Sequence, residues 1–384
     1  MIKKRIWDPC VYHRGVHAEQ FLKQYLAQPD RQVLLIAGAG FDPRSTRIAG
    51  AFPAAARTKT LAILLREERP NPDATLVELA VGHRDELVKA FPQSHEHPVH
   101  VFASDNAVVG GRNSARLMQS LSLDRITDII VDISALSIGV AFPIIKHFFD
   151  VLTQDSQRQR NLHVLSCDSP AVDRTITSHP SDAVAPIHGF RGGWGLDDKS
   201  RAAILWMPQL SRGKRAVLWR IFQTLRNTQK DTVICPILPF PATNPRRSDE
   251  LIEEFAEELL STDPQIAWSV DVRDLVYADE KNPLDLYRSI LRIDDARHRV
   301  FESVGGSQII LSPVGSKALS LGALMAALDR PFTILHVESI GYTLEKEGAP
   351  AVSSSDELVH IWLHGEAYED RNVKEIGTDN EEQT

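Results

Sequence analysis

Two short stretches of this chain combine residue types that bind anionic groups. The first is Gly38-Ala-Gly-Phe-Asp-Pro-Arg-Ser45. Gly38 and Gly40 let backbone N–H groups approach a ligand, and a helix starting just beyond them would present its positive end. Asp42, Arg44 and Ser45 add an acid, a cation and a hydroxyl, suited to charge-assisted hydrogen bonds with a phosphate or a ribose. Glu67 and Glu68 end the next apolar run, where dinucleotide and adenosine sites place the acid that takes ribose hydroxyls. Asp105 and Asp132 end later apolar runs, and Ser134 follows closely; in a parallel sheet those ends face the ligand crevice. Each residue also has a plainer reading. The third glycine of G-x-G-x-x-G is Pro43, so Gly38 and Gly40 fit a tight first βα turn equally well. Asp42 before Pro43 reads as a helix N-cap with proline at the first position, and Asp105 or Asp132 can cap the helix that follows.

The second stretch is Ser312-Pro-Val-Gly-Ser-Lys317. Gly315, Ser316 and Lys317 bring backbone donors, a hydroxyl and a cation to one helix N-terminus, which suits a small anionic ligand. The G-x-x-x-x-G-K-[ST] pattern is absent, so hydrolysis by a P-loop mechanism is not expected. Other polar clusters are open to two readings. His188, with Phe190, Arg191 and Trp194, is an acid–base candidate on a glycine-rich loop or a solvated histidine. Arg246 and Arg247 form a phosphate clamp or a surface patch before a helix capped by Ser248 or Asp249. Asp279 to Pro283, with Asp285 and Tyr287, orders a ligand lid or makes a turn. There is no G-x-S-x-G elbow, and His95-Glu-His97 before Pro98 is too compact for a helical metal site. No metal is expected, and no residue is assigned a catalytic role.

These loops need strands and helices to hold them. Val33–Ala37 is a continuous apolar run, as in a parallel strand buried on both faces. Further strand candidates are 61–65, 99–102, 128–133 and 162–165, with helical spacing over 142–149. Such alternation makes βαβ units, so the expected fold class is α/β, a Rossmann-like, mostly parallel sheet. Residues 1–170 are read as one Rossmann-like domain. Residues 171–200, dense in Pro and Gly, are read as a linker or active-site loop. Residues 201–363 read as a second α/β domain, with strands at 202–206, 232–235 and 360–363 and helices over 214–226 and 248–260. Its best-formed unit runs from strand 308–311 through helix 317–328 to strand 332–337. The acidic stretch 364–384 is expected to be disordered.

The net charge of −8, from 51 acidic and 43 basic side chains, argues against an extended non-specific grip on nucleic acid. Cys10, Cys167 and Cys235 are far apart, with no C-x-x-C spacing, so a reducing compartment is expected. No apolar stretch approaches the roughly 18 residues of a membrane span, and no apolar segment follows the charged start, so a cytoplasmic location without membrane contact is expected.

The loop Gly38–Arg44 resembles motif I of class I methyltransferases, in particular the Gly-Ala-Gly-Phe-Asp-Thr-Arg loop of the leucine carboxyl methyltransferase-like group. That resemblance implies S-adenosylmethionine as cofactor. Gly315-Ser-Lys-Ala-Leu-Ser-Leu-Gly322 is similar to the Gly-Gly-Thr-Lys loop-helix of CARF-type domains, Rossmann-like sensors of cyclic oligonucleotides in prokaryotic antiviral systems; Ser316 stands where that family has threonine. From residues and resemblances together, the favoured expectation is a nucleotide- or phosphate-ligand-binding sensor, or an accessory subunit of a prokaryotic defence or signalling system, with a protein partner or a second copy of itself. An enzyme using a nucleotide or S-adenosylmethionine, as a methyltransferase or base-sugar hydrolase, is the alternative. A structural subunit of a complex is a third.

Overall fold

The computed structural model describes residues 4–155, 158–194, 203–228, 231–263, 265–304, 306–344 and 356–368. In chain order the elements begin with β1 (Val11–Arg14), α1 (Val16–Tyr25), β2 (Val33–Gly38), α2 (Arg47–Ala51), α3 (Ala54–Arg57), β3 (Leu61–Glu68), α4 (Ala74–Ala90) and β4 (Gln93–His100). Next come α5 (Gly110–Gln119), β5 (Asp128–Asp132), α6 (Ile138–Gln154), β6 (Asn161–Asp168), α7 (Pro170–Thr175), β7 (Ile176–Pro186), β8 (Ala203–Pro208), α8 (Arg215–Arg226) and β9 (Thr232–Ile234). The rest are β10 (Ile237–Pro239), α9 (Arg247–Glu254), α10 (Ala256–Leu260), β11 (Val276–Ala278), α11 (Pro283–Phe301), β12 (Ser307–Ser312), α12 (Lys317–Asp329), β13 (Thr333–Leu344) and β14 (Glu357–His364).

The chain divides into two compact units, Pro9–Thr177 with Tyr342–Thr384, and Met1–Asp8 with Ser178–Gly341. The first is built on a seven-stranded sheet in the order β1-β14-β6-β5-β2-β3-β4. Strands β6, β5, β2, β3 and β4 run parallel, and β14 and β1 add an antiparallel edge. The chain builds outward from β2 through β3 to β4, then returns to the other side of β2 with β5 and β6. The order therefore reverses between β2 and β5, the position where open α/β sheets form a ligand crevice. Every residue of β2 is buried, as its uninterrupted apolar sequence requires. Gly38 is fixed by close approach: a Cβ there would lie 2.9 Å from the Ala135 carbonyl oxygen and 3.0 Å from Leu136.

The second unit holds a five-stranded sheet in the order β7-β13-β12-β8-β9, in which β9, β8, β12 and β13 are parallel. It reverses between β8 and β12. The small parallel pair β10 and β11 continues from the end of β8 through a bridge from Gln209 to Ile237. The core under this sheet is aromatic, with Trp206, Phe222, Phe255 and Trp268 packed together and Trp219 against them. Both halves are thus Rossmann-like, mostly parallel α/β arrangements. Within the stretch read as a linker or active-site loop, Pro170–Thr175 is helix and Ile176–Pro186 is an eleven-residue strand; its residues 195–200 lie outside the described ones. Of the stretch read as disordered from 364 onward, Glu366–Tyr368 forms a 3-10 turn, and the remainder from 369 lies outside the described residues.

Candidate functional site

At the β2/β5 crossover the loop expected to meet a ligand is well anchored. Ala39 N–H donates to the Leu65 carbonyl at 2.8 Å, and His83 Nδ1 on α4 contacts the Gly40 carbonyl at 3.0 Å. Asp42 takes the capping role open to it, accepting from Arg44 N–H at 3.0 Å at the head of the 3-10 turn Pro43–Thr46. Its carboxylate also receives Arg44 Nε at 3.0 and 3.1 Å and Nη2 at 2.7 Å, while Arg44 Nη1 donates to Asp173 at 2.7 Å. Burial opposes the charge on Arg44, only 5% exposed, but Asp42 and Asp173 outweigh it and raise its pKa above the ordinary value. The Asp42–Arg44 pair is therefore neutralised from within the protein.

Glu67 is committed too. One carboxylate oxygen accepts from Ser137 N–H at 2.7 Å and Ser137 Oγ at 3.0 Å; the other accepts from Arg69 at 2.7 Å. It crosses from the end of β3 to satisfy the N-terminus of α6, whose N-cap is Ser137. Asp132 is 1% exposed and accepts from Ser134 N–H at 3.0 Å and Oγ at 2.5 Å; Ser134 Oγ in turn accepts from Cys167 N–H at 2.8 Å. Asp105 stands apart on the exposed loop between β4 and α5, closing a turn with Ala107 N–H at 3.0 Å. The crossover thus brings Gly38, Gly40, Asp42, Arg44, Glu67 and Asp132 to one end of the sheet, where Asp42, Arg44 and Glu67 are ion-paired and Asp132 is hydrogen-bonded to Ser134. Cys167 nearby is no ready nucleophile, because burial pushes its thiol up to about 12.

The β8/β12 crossover is organised around Gln209, which the sequence did not single out, and Glu280, which lies in the stretch Asp279–Pro283 read as a ligand lid or a turn. Gln209, 1% exposed just past β8, accepts from Gly315 N–H at 3.2 Å and donates to the Leu319 carbonyl at 3.0 Å. Its single side chain ties the glycine loop to the first turn of α12. A Cβ at Gly315 would lie 2.8 Å from Gln209 Oε1, so this arrangement fits glycine. Ser316 is the N-cap of α12, accepting from Leu319 N–H at 3.3 Å and donating to the Glu280 carbonyl at 3.4 Å. Glu280 links the other loops, its N–H donating to Pro241 at 3.0 Å and its carboxylate accepting from Thr243 N–H at 2.8 Å. The loops after β8, β10, β11 and β12 therefore form one bonded rim, with Lys317 in the first helical turn. Tyr277 of β11 and Phe240, just past β10, 47% and 56% exposed, pair edge-on at 6.1 Å. A signal for Gln209 was present: it is the first polar residue after a buried strand, at that strand's carboxyl end.

The remaining candidates divide. Ile187 and Phe190 beside His188 are buried and hydrogen-bond to Ile334 of β13, which makes that loop part of the packing, while His188 itself is exposed. Arg246, rather than Ser248 or Asp249, occupies the N-cap position of α9; Ser248 instead donates to the Pro239 carbonyl at 2.9 Å. Asn282 caps α11, and Asp285 closes the preceding turn by accepting from Asp279 N–H at 2.9 Å. A groove of about 410 Å³ lies beside α8, lined by Trp219, Gln223, Arg226, Asn227, Gln265 and Ile266. Among the described residues no group of His, Cys, Asp or Glu is placed to hold a metal ion, and no helix is long and apolar enough to cross a membrane. No protein-family model matches the chain, and no curated protein matches it in sequence.

Proposed function

We propose that this chain binds a nucleotide or another phosphate-bearing ligand at the β8/β12 crossover and acts as a sensor or accessory subunit. The observation that carries this reading is the Gln209 brace, which holds Gly315 and Leu319 so that the N-terminus of α12, with Ser316 and Lys317, is set before any ligand arrives. A braced helix N-terminus offers partial positive charge to an anion with little reorganisation. The ion pairs of Asp42, Arg44 and Glu67 and the hydrogen bonds from Ser134 to Asp132 support binding over catalysis at the β2/β5 crossover. The setting in a prokaryotic defence or signalling system follows from the resemblance of Gly315–Gly322 to the CARF loop-helix, and so does a protein partner to receive the signal.

The second reading, an enzyme using a nucleotide or S-adenosylmethionine at the β2/β5 crossover, is favoured by the open space at Gly40. A Cβ there would meet nothing nearer than the Ala135 carbonyl oxygen at 3.9 Å. The two readings separate when small molecules released by heat from gently purified protein are identified by mass spectrometry. A phosphate-bearing compound should be present with wild type and Gly40→Asp, and at least about tenfold depleted with Lys317→Ala, the loss of roughly 1.4 kcal/mol of binding. Depletion in Gly40→Asp alone would move the site to β2/β5. An empty wild-type protein that also shows no thermal shift with nucleotides or S-adenosylmethionine would leave the structural-subunit reading.

A further inference from the structure

A row of three histidines crosses the antiparallel edge of the seven-stranded sheet. His13 on β1 lies opposite His360 on β14, and Trp362 two residues on lies opposite His163 on β6. His13 Nδ1 and His360 Nδ1 are 2.9 Å apart, His360 Nε2 and His163 Nδ1 3.0 Å, and His163 Nε2 and Asp128 Oδ1 3.4 Å. His163 and His360 are 1% and 0% exposed, and His13 is half-buried at the outer end. Phe21 stacks on His13 and His360 at 4.4 and 4.6 Å, and Trp362 packs on His163 at 4.6 Å.

Elementary hydrogen-bond accounting fixes the protons in this row. Asp128, when ionised, only accepts, so His163 carries its proton on Nε2 and accepts at Nδ1. His360 must then donate from Nε2 and accept at Nδ1, and His13 must donate from Nδ1. The neutral row has one direction, and each of its three contacts holds one proton. One further proton fits, on the outer nitrogen of His13. A second would set N–H against N–H at one of the contacts, between rings of which His163 and His360 are fully buried.

The row fastens β1 directly, and it meets the turn after β14 through Asp128 and Tyr25. The four-residue edge strand β1 is tied by the His13 contact, by Arg14 to Glu357 at 2.8 Å and to Asp168 at 2.5 Å, and by Val11 N–H to Tyr368 Oη at 3.3 Å. The turn after β14 is held by Glu366, which accepts from Tyr25 at 3.1 Å and Arg31 at 2.8 Å, and by Tyr368, which donates to the Trp362 carbonyl at 2.5 Å. Gly365 at its head has φ of 117°, a conformation that excludes other residues, and a Cβ there would overlap Asn161 Oδ1. Tyr25, Asn161 and Thr127 converge on Asp128 at 2.7, 3.0 and 2.6 Å, with Arg31 3.7 Å away. The charged or titratable groups facing the row are thus His17 and Tyr25 from α1, Arg31 from the loop after it, Asp128 from β5 and Glu366 from the turn.

We propose that the His13–His360–His163–Asp128 row is an acid-sensitive clasp, whose protonation releases β1 and the turn Gly365–Tyr368 from β14 while the parallel core of the sheet stays folded. Burial holds all three imidazoles below their ordinary value; His360, lowered furthest, is disfavoured further by His163 and His13, and His13 by His17. The released histidines regain an ordinary value near 6.5, so protons favour the open form as pH falls through that value. Between pH 7.5 and 5.5 the opening equilibrium rises by about tenfold for His360, which takes no further proton in the closed row, and by less for His13, whose outer nitrogen can take one there.

Amide hydrogen exchange on the full chain at pH 7.5 and 5.5, corrected for intrinsic rates, tests this with wild type, His13→Gln and His360→Gln. Amides of 11–14 and 365–368 should lose protection by about tenfold or more in wild type, while those of 33–38 and 128–132 keep theirs; His360→Gln should remove the larger part of the pH effect and His13→Gln a smaller part. Unchanged protection at pH 5.5, a loss in both variants as large as that in wild type, or loss spread over the whole sheet would each overturn the proposal. If His360→Gln does not fold, His13→Gln at the half-buried end decides alone.

Discussion

Arg44 and Lys317 were read from the sequence in the same way, as cations beside glycine loops, and they stand in different places, Arg44 within an ion-paired cluster and Lys317 in the first turn of α12. Arg44 is buried and enclosed by Asp42 and Asp173, so truncating it strands buried carboxylate charge. Arg44→Ala is expected to lower stability by about 3–5 kcal/mol, read from urea unfolding midpoints, and to leave ligand occupancy per folded molecule unchanged. Lys317→Ala, at a half-buried position in the first turn of α12, should reduce binding and cost less stability than Arg44→Ala. Equal loss of stability in both variants would place Lys317 among the structural cations. The types of these residues were legible in the sequence, and so was the capping alternative for Asp42 that the structure adopts. Their partners were not. Asp173 lies 129 positions from Arg44, and Gln209 lies 106 from Gly315, separations that no local pattern reports.

At the scale of elements, legibility followed burial. Strand β2, helix α6 and the unit β12–α12–β13 lie in the core, and their apolar runs or helical spacing gave positions close to the observed ones, except that β13 runs on past 337 to Leu344. Edge strands were displaced or missed, because one side of such a strand needs no apolar partner. Strand β4 spans Gln93–His100 rather than 99–102, carries three histidines and contains Pro98. Strand β7, with Pro180 and Pro186, read as a linker for the same reason. Glu67 shows how one element is finished by another: it ends β3 and satisfies the head of α6. Glu67→Gln keeps the shape but removes the charge that faces the helix N-terminus and Arg69. A loss of about 1–2 kcal/mol is expected by chemical unfolding, with little change in nucleotide binding; a large binding loss at unchanged stability would return Glu67 to the ligand crevice.

For the whole molecule, the buried imidazoles set the response to acid. His13, His147, His163, His360 and His364 are all lowered by burial, so in each case the unfolded chain binds a proton that the folded chain resists. Their contribution is fully present above the unfolded value near 6.5 and shrinks as pH falls below it, opposite to a histidine that gains a carboxylate partner and is raised. Asp128 and Glu96 are lowered, so their contribution is lost only in the more acidic range below about pH 4. Between pH 7.5 and 5.5 the histidines therefore act without opposition from these carboxylates. A fully buried imidazole costs about 1.4 kcal/mol of stability per pH unit once the unfolded chain is protonated, so His163 and His360 together predict a fall of roughly 2–3 kcal/mol by pH 5.5. Urea unfolding at the two pH values should show that fall in wild type and about half of it in His360→Gln. A rise in stability on acidification would mean that these imidazoles are charged in the folded protein, with Asp128 as the counter-ion, and that the direction assigned to the row is reversed.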